Sequence, residues 1–436
     1  MNWLEGLVWV AVTVPIAALV HKGLHPRGAG ITPLGVLYAV WIFATFLYVS
    51  NPFNLERLPT QATVALISAA VSFTLGYGIV LLVSRKGATK VRAGAALEIQ
   101  ARHEARQLAA FAQTWMFCLV AWCLLLAVYL AQIRAYSGAG LHVLLYSLRT
   151  SLGNSDSPPS GFYYFYFAQI IVPFGAILRI RTGRKMYLWW SLAALFSLIL
   201  TSGRTNIIIA IMSWAFVAIL AGGHKFDKRR IASIVFVSLC VFSTFAFLGN
   251  TVGKTYENSE MYATYGNNAP VPGSLVQPMF YVNGPISYFG QLTDSPGGEG
   301  RGSNLGRPFL QVASIFDSSI LPPQKIQPFR RIPFQTNLGT YLSPIWQDFG
   351  MVGIALVNAI LGALAAITWV LWRRRRTPGT LAITAVVMVF CASSILDASF
   401  TELWFVLFLV VVAISSRARK RSNKSPVYPL IPTPSS

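Results

Sequence analysis

Apolar runs of about 17 to 25 residues recur along most of the chain, and each is long enough to cross a bilayer core of about 30 Å as a helix. Polar or basic stretches separate them. This pattern predicts an all-α polytopic integral membrane protein with about 11 transmembrane helices and one large outer loop. The predicted spans are 3–20, 32–50, 62–83, 108–131, 162–178, 186–203, 205–222, 231–249, 344–371, 380–397 and 400–416.

The interruptions divide the chain into four parts. Residues 1–249 form a predicted N-terminal transmembrane bundle with spans 1 to 8. Residues 250–343 are rich in Gly, Pro, Asn, Ser and Tyr, and dense turn signals predict a loop domain with short helices packed over the membrane face. Residues 344–416 hold the C-terminal transmembrane helices, and 417–436 form a basic tail. A long ordered loop in a compact protein is usually functional.

Composition agrees with the hydrophobic pattern, since 54% of the 436 residues are hydrophobic and 11% are charged. The net charge of +21 would suggest nucleic acid in a soluble protein. Here 25 of the 35 Lys and Arg residues lie in alternate loops and the C-terminal tail, on one side of the predicted membrane. The positive-inside rule therefore predicts an outer N-terminus and a cytoplasmic C-terminus, with the lipid bilayer rather than nucleic acid as partner.

The cysteines and histidines of the sequence do not predict a metal site or a disulfide framework. The four cysteines all lie inside predicted spans, and the five histidines are scattered. Neither spacing is typical of a metal site or a disulfide framework. We expect no metal and no cofactor.

The stretch "TSGRTN" at residues 201–206 carries an arginine near the outer end of a span. About 16 apolar residues precede it, which reach about 24 Å and leave Arg204 at or slightly below the outer interface. Two interpretations stay open. Arg204 either ends the helix by extending its side chain to the interface, or forms an anion site that faces a cavity.

The stretch "FQTNLGTYLSPIWQDFGMVG" leads into the ninth span and places Asp348 at its outer mouth. A carboxylate in the first turn of a helix is stabilised by the helix dipole, which is one interpretation. The other is that Asp348 pairs with an outer arginine or orients a sugar hydroxyl. Asn337, Thr340 and Tyr341 lie just upstream and are candidate sugar-binding residues.

Arginine is disfavoured on the outer face of a membrane protein, yet several outer basic residues are present. Each taken alone is explained as screened surface charge. As a group they suit an anionic substrate that arrives at the outer membrane surface. The outer set is Arg57, Arg134, Arg149, Arg204, Lys254, Arg301, Arg307, Lys325, Arg330 and Arg331.

Two elements and the loop between them resemble the oligosaccharide repeat-unit polymerase family (Wzy-like, O-antigen polymerases). The resemblance covers residues 200–365. The segment "YVNGPISYFGQL" at 281–292 resembles a glycine-containing segment of that family's loop. The matching positions in the two elements are Gly203, Arg204, Thr205, Asn337, Thr340, Asp348, Phe349, Gly350 and Gly353.

The resemblance implies a metal-independent glycosyltransferase of the bacterial cytoplasmic membrane. It would polymerise undecaprenyl-diphosphate-linked oligosaccharide units at the outer face, by transfer to a sugar hydroxyl of the acceptor unit. The product would be an O-antigen, capsule or exopolysaccharide, and a chain-length regulator protein is a further expected partner. Arg204 and Asp348 are the candidate catalytic residues. As the base, Asp348 is one candidate, and the others are Glu257, Glu260, Asp294, Glu299 and Asp317. The candidate substrate-binding residues are Arg149, Thr205, Arg301, Arg307, Arg330, Arg331, Asn337, Thr340 and Tyr341.

Three other functions compete with this one. An O-antigen ligase uses the same lipid-linked donor with a different acceptor. A flippase or transporter of lipid-linked glycans would carry several charged residues deep within its spans, and here Arg204, Asp348, Asp397 and Glu402 all lie near outer ends. A non-catalytic scaffold leaves the outer arginines without explanation.

Overall fold

A computed structural model describes ten stretches of the chain, and the structural account concerns these residues. They are 31–86, 95–134, 161–201, 204–222, 243, 259–266, 268–317, 319–323, 327–396 and 398–417.

The described residues form a largely helical protein, as the hydrophobic pattern predicts. The helices are α1 Pro33–Ser50, α2 Thr60–Lys86, α3 Ala95–Ile133, α4 Tyr164–Thr182, α5 Met186–Ser197, α6 Arg204–Ala221, α7 Glu260–Tyr265, α8 Gly273–Leu292, α9 Arg307–Phe316, α10 Leu342–Arg375, α11 Pro378–Ser393 and α12 Leu403–Arg417. Two short 3₁₀ turns, Leu198–Thr201 and Ser399–Thr401, lead towards α6 and α12. Strands β1 (Arg330–Arg331) and β2 (Gln335–Thr336) form a small antiparallel hairpin.

Four of the described helices are long and apolar enough to cross a membrane: α1, α2, α3 and α10. Nine of the eleven predicted spans overlap a helix of the structure, whereas 3–20 and 231–249 lie outside the described residues, apart from position 243. The fold is thus that of an all-α membrane protein. The leucines of "SGAGLHVLLYSLRTSL" fall on one helical face and predict a short outer interfacial helix at 137–152, which also lies outside the described residues.

α10 shows why these helices suit a lipid environment. Its exposed apolar side chains recur every three or four residues along one side of the helix, where they form a continuous stripe. Its other side packs along α2. The stripe consists of Val352, Leu356, Ile360, Leu364 and Ile367.

Two hydrophobic cores lie side by side. One is built by α3, α4, α5, α6, α11 and α12, with α4 at its centre. The other is built by α1, α2, α8 and α10 together with the loop segment. There the Phe280 ring packs against both Phe53 and Phe334. α10 and α11 contribute to both cores, so the loop is joined to the bundle by apolar packing.

The loop segment is more regular than its sequence predicts. α8 runs over 20 residues, although only short helices are expected there. Pro278 and Pro285 lie inside α8, and Gly284 lies between them. Proline and glycine are the residues that normally argue against a helix interior, which hides α8 from the sequence pattern.

Candidate functional site

A sharp break in α10 joins the loop to the membrane helix. Gly350 has φ 59° and ψ −146°, which interrupts the helix. The carbonyls of Trp346 and Gln347 would bond to residues 350 and 351 in an unbroken helix. Here they accept hydrogen bonds from the backbone N–H of Gly298, at 3.2 and 3.1 Å, and Gln347 also accepts from Gly300 at 2.8 Å. The loop therefore satisfies the carbonyls that the break releases.

Asp348 completes this junction, which we call the loop clasp (residues 297–305 against 346–350). Its side chain is buried. Oδ1 accepts from the backbone N–H of Asn304 at 3.1 Å and from Asn304 Nδ2 at 2.8 Å. Oδ2 accepts from the backbone N–H of Leu305 at 2.8 Å. Three donors stabilise the buried carboxylate, so Asp348 fastens the loop to α10.

The clasp leaves no room for a side chain at Gly300. A Cβ there would lie 2.3 Å from Asp348 Oδ1 and 2.7 Å from Asn304 Nδ2. The glycine-rich sequence "GGEGRGSNLG" at 297–306 is thus explained in part by close approach of two backbones.

A polar cavity of about 330 Å³ lies beside the clasp. Its volume is at the lower end of the range of about 300–1,000 Å³ that is usual for ligand pockets. Most lining residues carry neutral hydrogen-bonding groups, a composition suited to sugars. The described lining residues are Thr205, Asn206, Ile209, Asn304, Arg307, Gln327, Asn337, Leu338, Gly339, Thr340, Ser343, Pro344, Leu396, Ala398, Thr401, Glu402 and Trp404.

One ion pair lies in the cavity wall. Arg307 Nη1 donates to Glu402 Oε1 at 3.2 Å, and the two side chains are only 8% and 4% exposed. These are the only charged residues among the described lining residues. Tyr166 lies close enough for the charges of Glu402 and Arg307 both to act on its hydroxyl. The pair is therefore held in a largely water-excluded wall, where charge interactions are strong.

Two buried polar groups of the cavity wall have no hydrogen-bond partner within the described part of the chain. They are Nε of Arg307 and the hydroxyl of Ser343. A buried donor without a partner costs about 1–3 kcal/mol, so such groups are rare in native proteins. Both atoms are almost fully enclosed by protein, so a ligand in the cavity reaches them only if their side chains turn.

The N-terminal turn of α6 forms another part of the wall, through Thr205 and Asn206. The backbone carbonyl of Asn206 accepts from Gln169 Nε2 at 2.6 Å, and its side-chain amide donates to Thr201 Oγ1 at 3.3 Å. These contacts fix the start of α6. A helix N-terminus carries partial positive charge and favours anions nearby.

The structure brings four of the predicted site residues into this one cavity: Thr205, Arg307, Asn337 and Thr340. Asp348 is adjacent in the fold, because its partner Asn304 lines the cavity, but Asp348 itself does not. Its two oxygens contact the loop rather than an arginine. The other interpretation, stabilisation of a first-turn carboxylate by the helix dipole, does not hold either. α10 begins at Leu342, so Asp348 lies beyond its first turn.

The remaining predicted residues lie elsewhere. Tyr341 is buried in the second core and its hydroxyl donates to Asn358. Arg301 is exposed and has φ 47°. Arg149 and the side chain of Arg204 lie outside the described residues, although α6 begins at Arg204.

The hairpin arginines support the loop. Arg330 donates to the carbonyl of Gln291 at 3.0 Å and lies 5.8 Å from the centre of the Tyr288 ring. Burial raises the pKa of the Tyr288 phenol, against the lowering effect of Arg330. Arg331 donates to the carbonyl of Pro333 at 3.2 Å. Neither arginine lines the cavity.

Glu402 is the main residue that the sequence did not single out as part of a site. It is one of few acids near the outer end of a predicted span, which is the signal that could have identified it. Its partner Arg307 lies 95 residues away in the chain, so sequence alone does not pair them. Asn206, Asn304 and Trp404 are further lining residues without a sequence signal.

Comparison with family models, with curated proteins and with solved structures finds no match to this chain. Within the described residues no three His, Cys, Asp or Glu side chains are grouped so that they could hold a metal ion.

Proposed function

We propose that the protein is a membrane glycosyltransferase that polymerises undecaprenyl-diphosphate-linked oligosaccharide repeat units into a surface polysaccharide. The observation that carries the proposal is the cavity. It joins Thr205 of the first polymerase-like element to Asn337 and Thr340 of the second, with Arg307 from the loop between them. Thr205 and Asn337, which are 132 residues apart in sequence, thus line one cavity.

The proposed orientation follows from the charge bias of the loops. With about 11 spans, an outer N-terminus and a cytoplasmic C-terminus, residues 250–343 lie on the outer side of the bacterial cytoplasmic membrane. The start of α6, the loop and the start of α12 then share that side. The cavity would open where lipid-linked glycans are assembled, and a chain-length regulator protein remains an expected partner there.

The cavity supplies groups for both substrates. The donor is a sugar attached to a lipid diphosphate, on which negative charge grows as the bond between C1 and the phosphate oxygen breaks. Arg307 and the N-terminal turn of α6 would stabilise that charge, and Arg204 at the start of α6 remains a candidate for the same role. Asn337, Thr340 and Ser343 are suited to sugar hydroxyls, and Trp404 offers an apolar ring to a sugar face.

Glu402 would act on the acceptor. A new bond forms between C1 of the donor sugar and the acceptor oxygen, and the proton of that hydroxyl passes to the Glu402 carboxylate. The lipid diphosphate leaves with the electron pair of the broken bond. As Arg307 turns to the leaving diphosphate, Glu402 loses part of its stabilising cation and becomes a better base. A positioned base contributes about 10²–10⁴ in rate.

The test is a gel of lipid-linked and surface glycans from cells that lack the protein. We expect single repeat units in place of a ladder, and rescue of the ladder by the wild-type protein. Arg307→Gln should fail to rescue, whereas Arg301→Gln, a change at an exposed arginine outside the cavity, should rescue. Long polymer stranded on its carrier lipid would contradict the proposal in favour of a ligase. Single units trapped on the inner leaflet would contradict it in favour of a flippase.

A further inference from the structure

α9 (Arg307–Phe316) has two unlike sides. Four large apolar residues fall within about one third of the helix circumference, at about 100° per residue. Their exposed fractions are 67% for Phe309, 40% for Val312, 75% for Ile315 and 87% for Phe316. Arg307 lies on the opposite side, where it contacts Glu402. The helix thus presents a polar side to the cavity and an apolar side to its surroundings.

The apolar side adjoins the membrane bundle. α9 packs against α12, and Arg307 contacts Glu402, the residue directly before α12 begins. α12 is itself apolar and exposes Val410 and Ile414, at 47% and 59%. The exposed apolar surface of α9 therefore starts at one end of a helix whose own exposed surface is suited to lipid.

The chemistry of the α9 surface favours lipid over protein as its occupant. Residues 308–316, "PFLQVASIF", contain no charged residue and no Tyr, Trp or Arg. Interfacial helices bury Phe and aliphatic side chains among acyl chains, and the position of this face at the end of the apolar helix α12 favours lipid as its occupant. An apolar face of this kind open to water would be an aggregation hazard.

We propose that α9 is an interfacial helix whose apolar face, formed by Phe309, Val312, Ile315 and Phe316, inserts into the acyl region of the leaflet at the Leu403 end of α12. The occupant of this face is the acyl chains of membrane lipids. One consequence rests on the proposed function: the lipid tail of the substrate would lie beside α9 while its diphosphate reaches Arg307 on the other side of the same helix.

The experiment measures what surrounds the α9 face in the full-length protein. The four cysteines, Cys118, Cys123, Cys240 and Cys391, are replaced by Ala. Phe316→Cys is then labelled with an environment-sensitive fluorophore and reconstituted at low protein density in phosphatidylcholine vesicles. Ser319→Cys, at an exposed polar position three residues further, is the matched control. Ile315→Cys is a second site on the same face.

We expect a blue-shifted emission from the labels at 315 and 316 relative to the label at 319. Lipids with a nitroxide on the acyl chain should quench the first two labels and aqueous iodide should quench the third. Quenching of the 315 and 316 labels by iodide alone would overturn the proposal by placing the face in water. Quenching by neither reagent would overturn it too, because a second copy or another protein would then cover the face. Neither readout requires transferase activity.

Discussion

Two buried carboxylates, Asp348 and Glu402, lie close to the same cavity and have opposite surroundings. Asp348 is enclosed by neutral donors of the loop, and both of its oxygens are occupied. Glu402 lines the cavity and faces the cation of Arg307, whose Nε has no partner among the described residues. The contacts of Asp348 all go to the loop clasp, whereas Glu402 lines the cavity.

The comparison teaches that burial of a charge has two separate causes in this protein. At the clasp, the charge of Asp348 strengthens hydrogen bonds that hold the loop on a broken helix. At the cavity, the charge of Glu402 holds an arginine in a water-excluded wall. Only the second arrangement places the charged side chains in the wall of the cavity.

Removal of the Asp348 carboxylate should have the largest effect on stability. Asp348→Ala leaves three donors without an acceptor, which we expect to cost about 3–5 kcal/mol of unfolding free energy. Thermal unfolding in detergent measures the loss. Asp294→Asn, at an exposed acid of the same loop, should stay within about 0.5 kcal/mol of wild type. A wild-type melting temperature for Asp348→Ala would show that the loop clasp does not stabilise the protein.

Substitutions in the Arg307–Glu402 ion pair should behave differently, because a second substitution can offset the loss of stability that the first one causes. Glu402→Gln leaves Arg307 as a buried unpaired charge, at a cost of about 3 kcal/mol, which is the lower end of the range for a broken buried pair. The double variant Arg307→Gln/Glu402→Gln removes both charges and should recover most of that stability. The same unfolding assay tests both proteins. A double variant as unstable as the sum of its single variants would contradict the pairing.

A methyl group at the clasp gives a smaller and more local effect. Gly300→Ala places a Cβ against Asp348 Oδ1, and overpacking of this kind costs about 1–3 kcal/mol. Limited proteolysis of the loop and the melting temperature should both report it. Ser303→Ala, in the same segment, is the control and should behave as wild type. Equal stability of the two variants would mean that the clasp is looser than its contacts indicate.

The smallest effect is expected on the sugar-facing side of the cavity. Asn337→Ala removes one neutral hydrogen-bonding group, which is worth about 0.5–1.5 kcal/mol, or about 2- to 12-fold in the apparent KM for the acceptor. Polymerisation rate against acceptor concentration measures it, with kcat little changed. A loss in kcat alone would assign Asn337 to the reaction step rather than to binding.

The hydrophobic pattern was sufficient to predict most of the described membrane helices, but it predicted little of the candidate site. Apolar runs predict helices such as α1, α2 and α10 because a membrane-spanning helix needs apolar side chains along its whole length, whether they face lipid or the protein core. α8 escaped the same reasoning, since Pro278 and Pro285 interrupt its pattern while tertiary packing keeps it helical. The positions of most helices can therefore be predicted from the local sequence, whereas a helix that contains proline cannot.

The site depends on contacts that are distant in sequence. Asn304 lies 44 residues before Asp348, and Arg307 lies 95 residues before Glu402. Residue type alone suggested an arginine partner for Asp348, whereas the break at Gly350 supplied backbone carbonyls and brought neutral loop donors instead. Thr205, Asn337 and Thr340 were predicted from two local sequence elements, and they line the cavity.

The most direct test of the central claim, that glycosyl transfer takes place in the cavity of Arg307 and Glu402, uses the double variant Arg307→Gln/Glu402→Gln. The purified protein is reconstituted in vesicles with a lipid-linked repeat unit, and formation of the first dimer of units is timed. We expect a rate lower by about 10²–10³ or more at a near wild-type melting temperature, since both the charge-stabilising donor and the base are gone. A wild-type rate in that folded variant would contradict the account and place the reaction elsewhere in the protein.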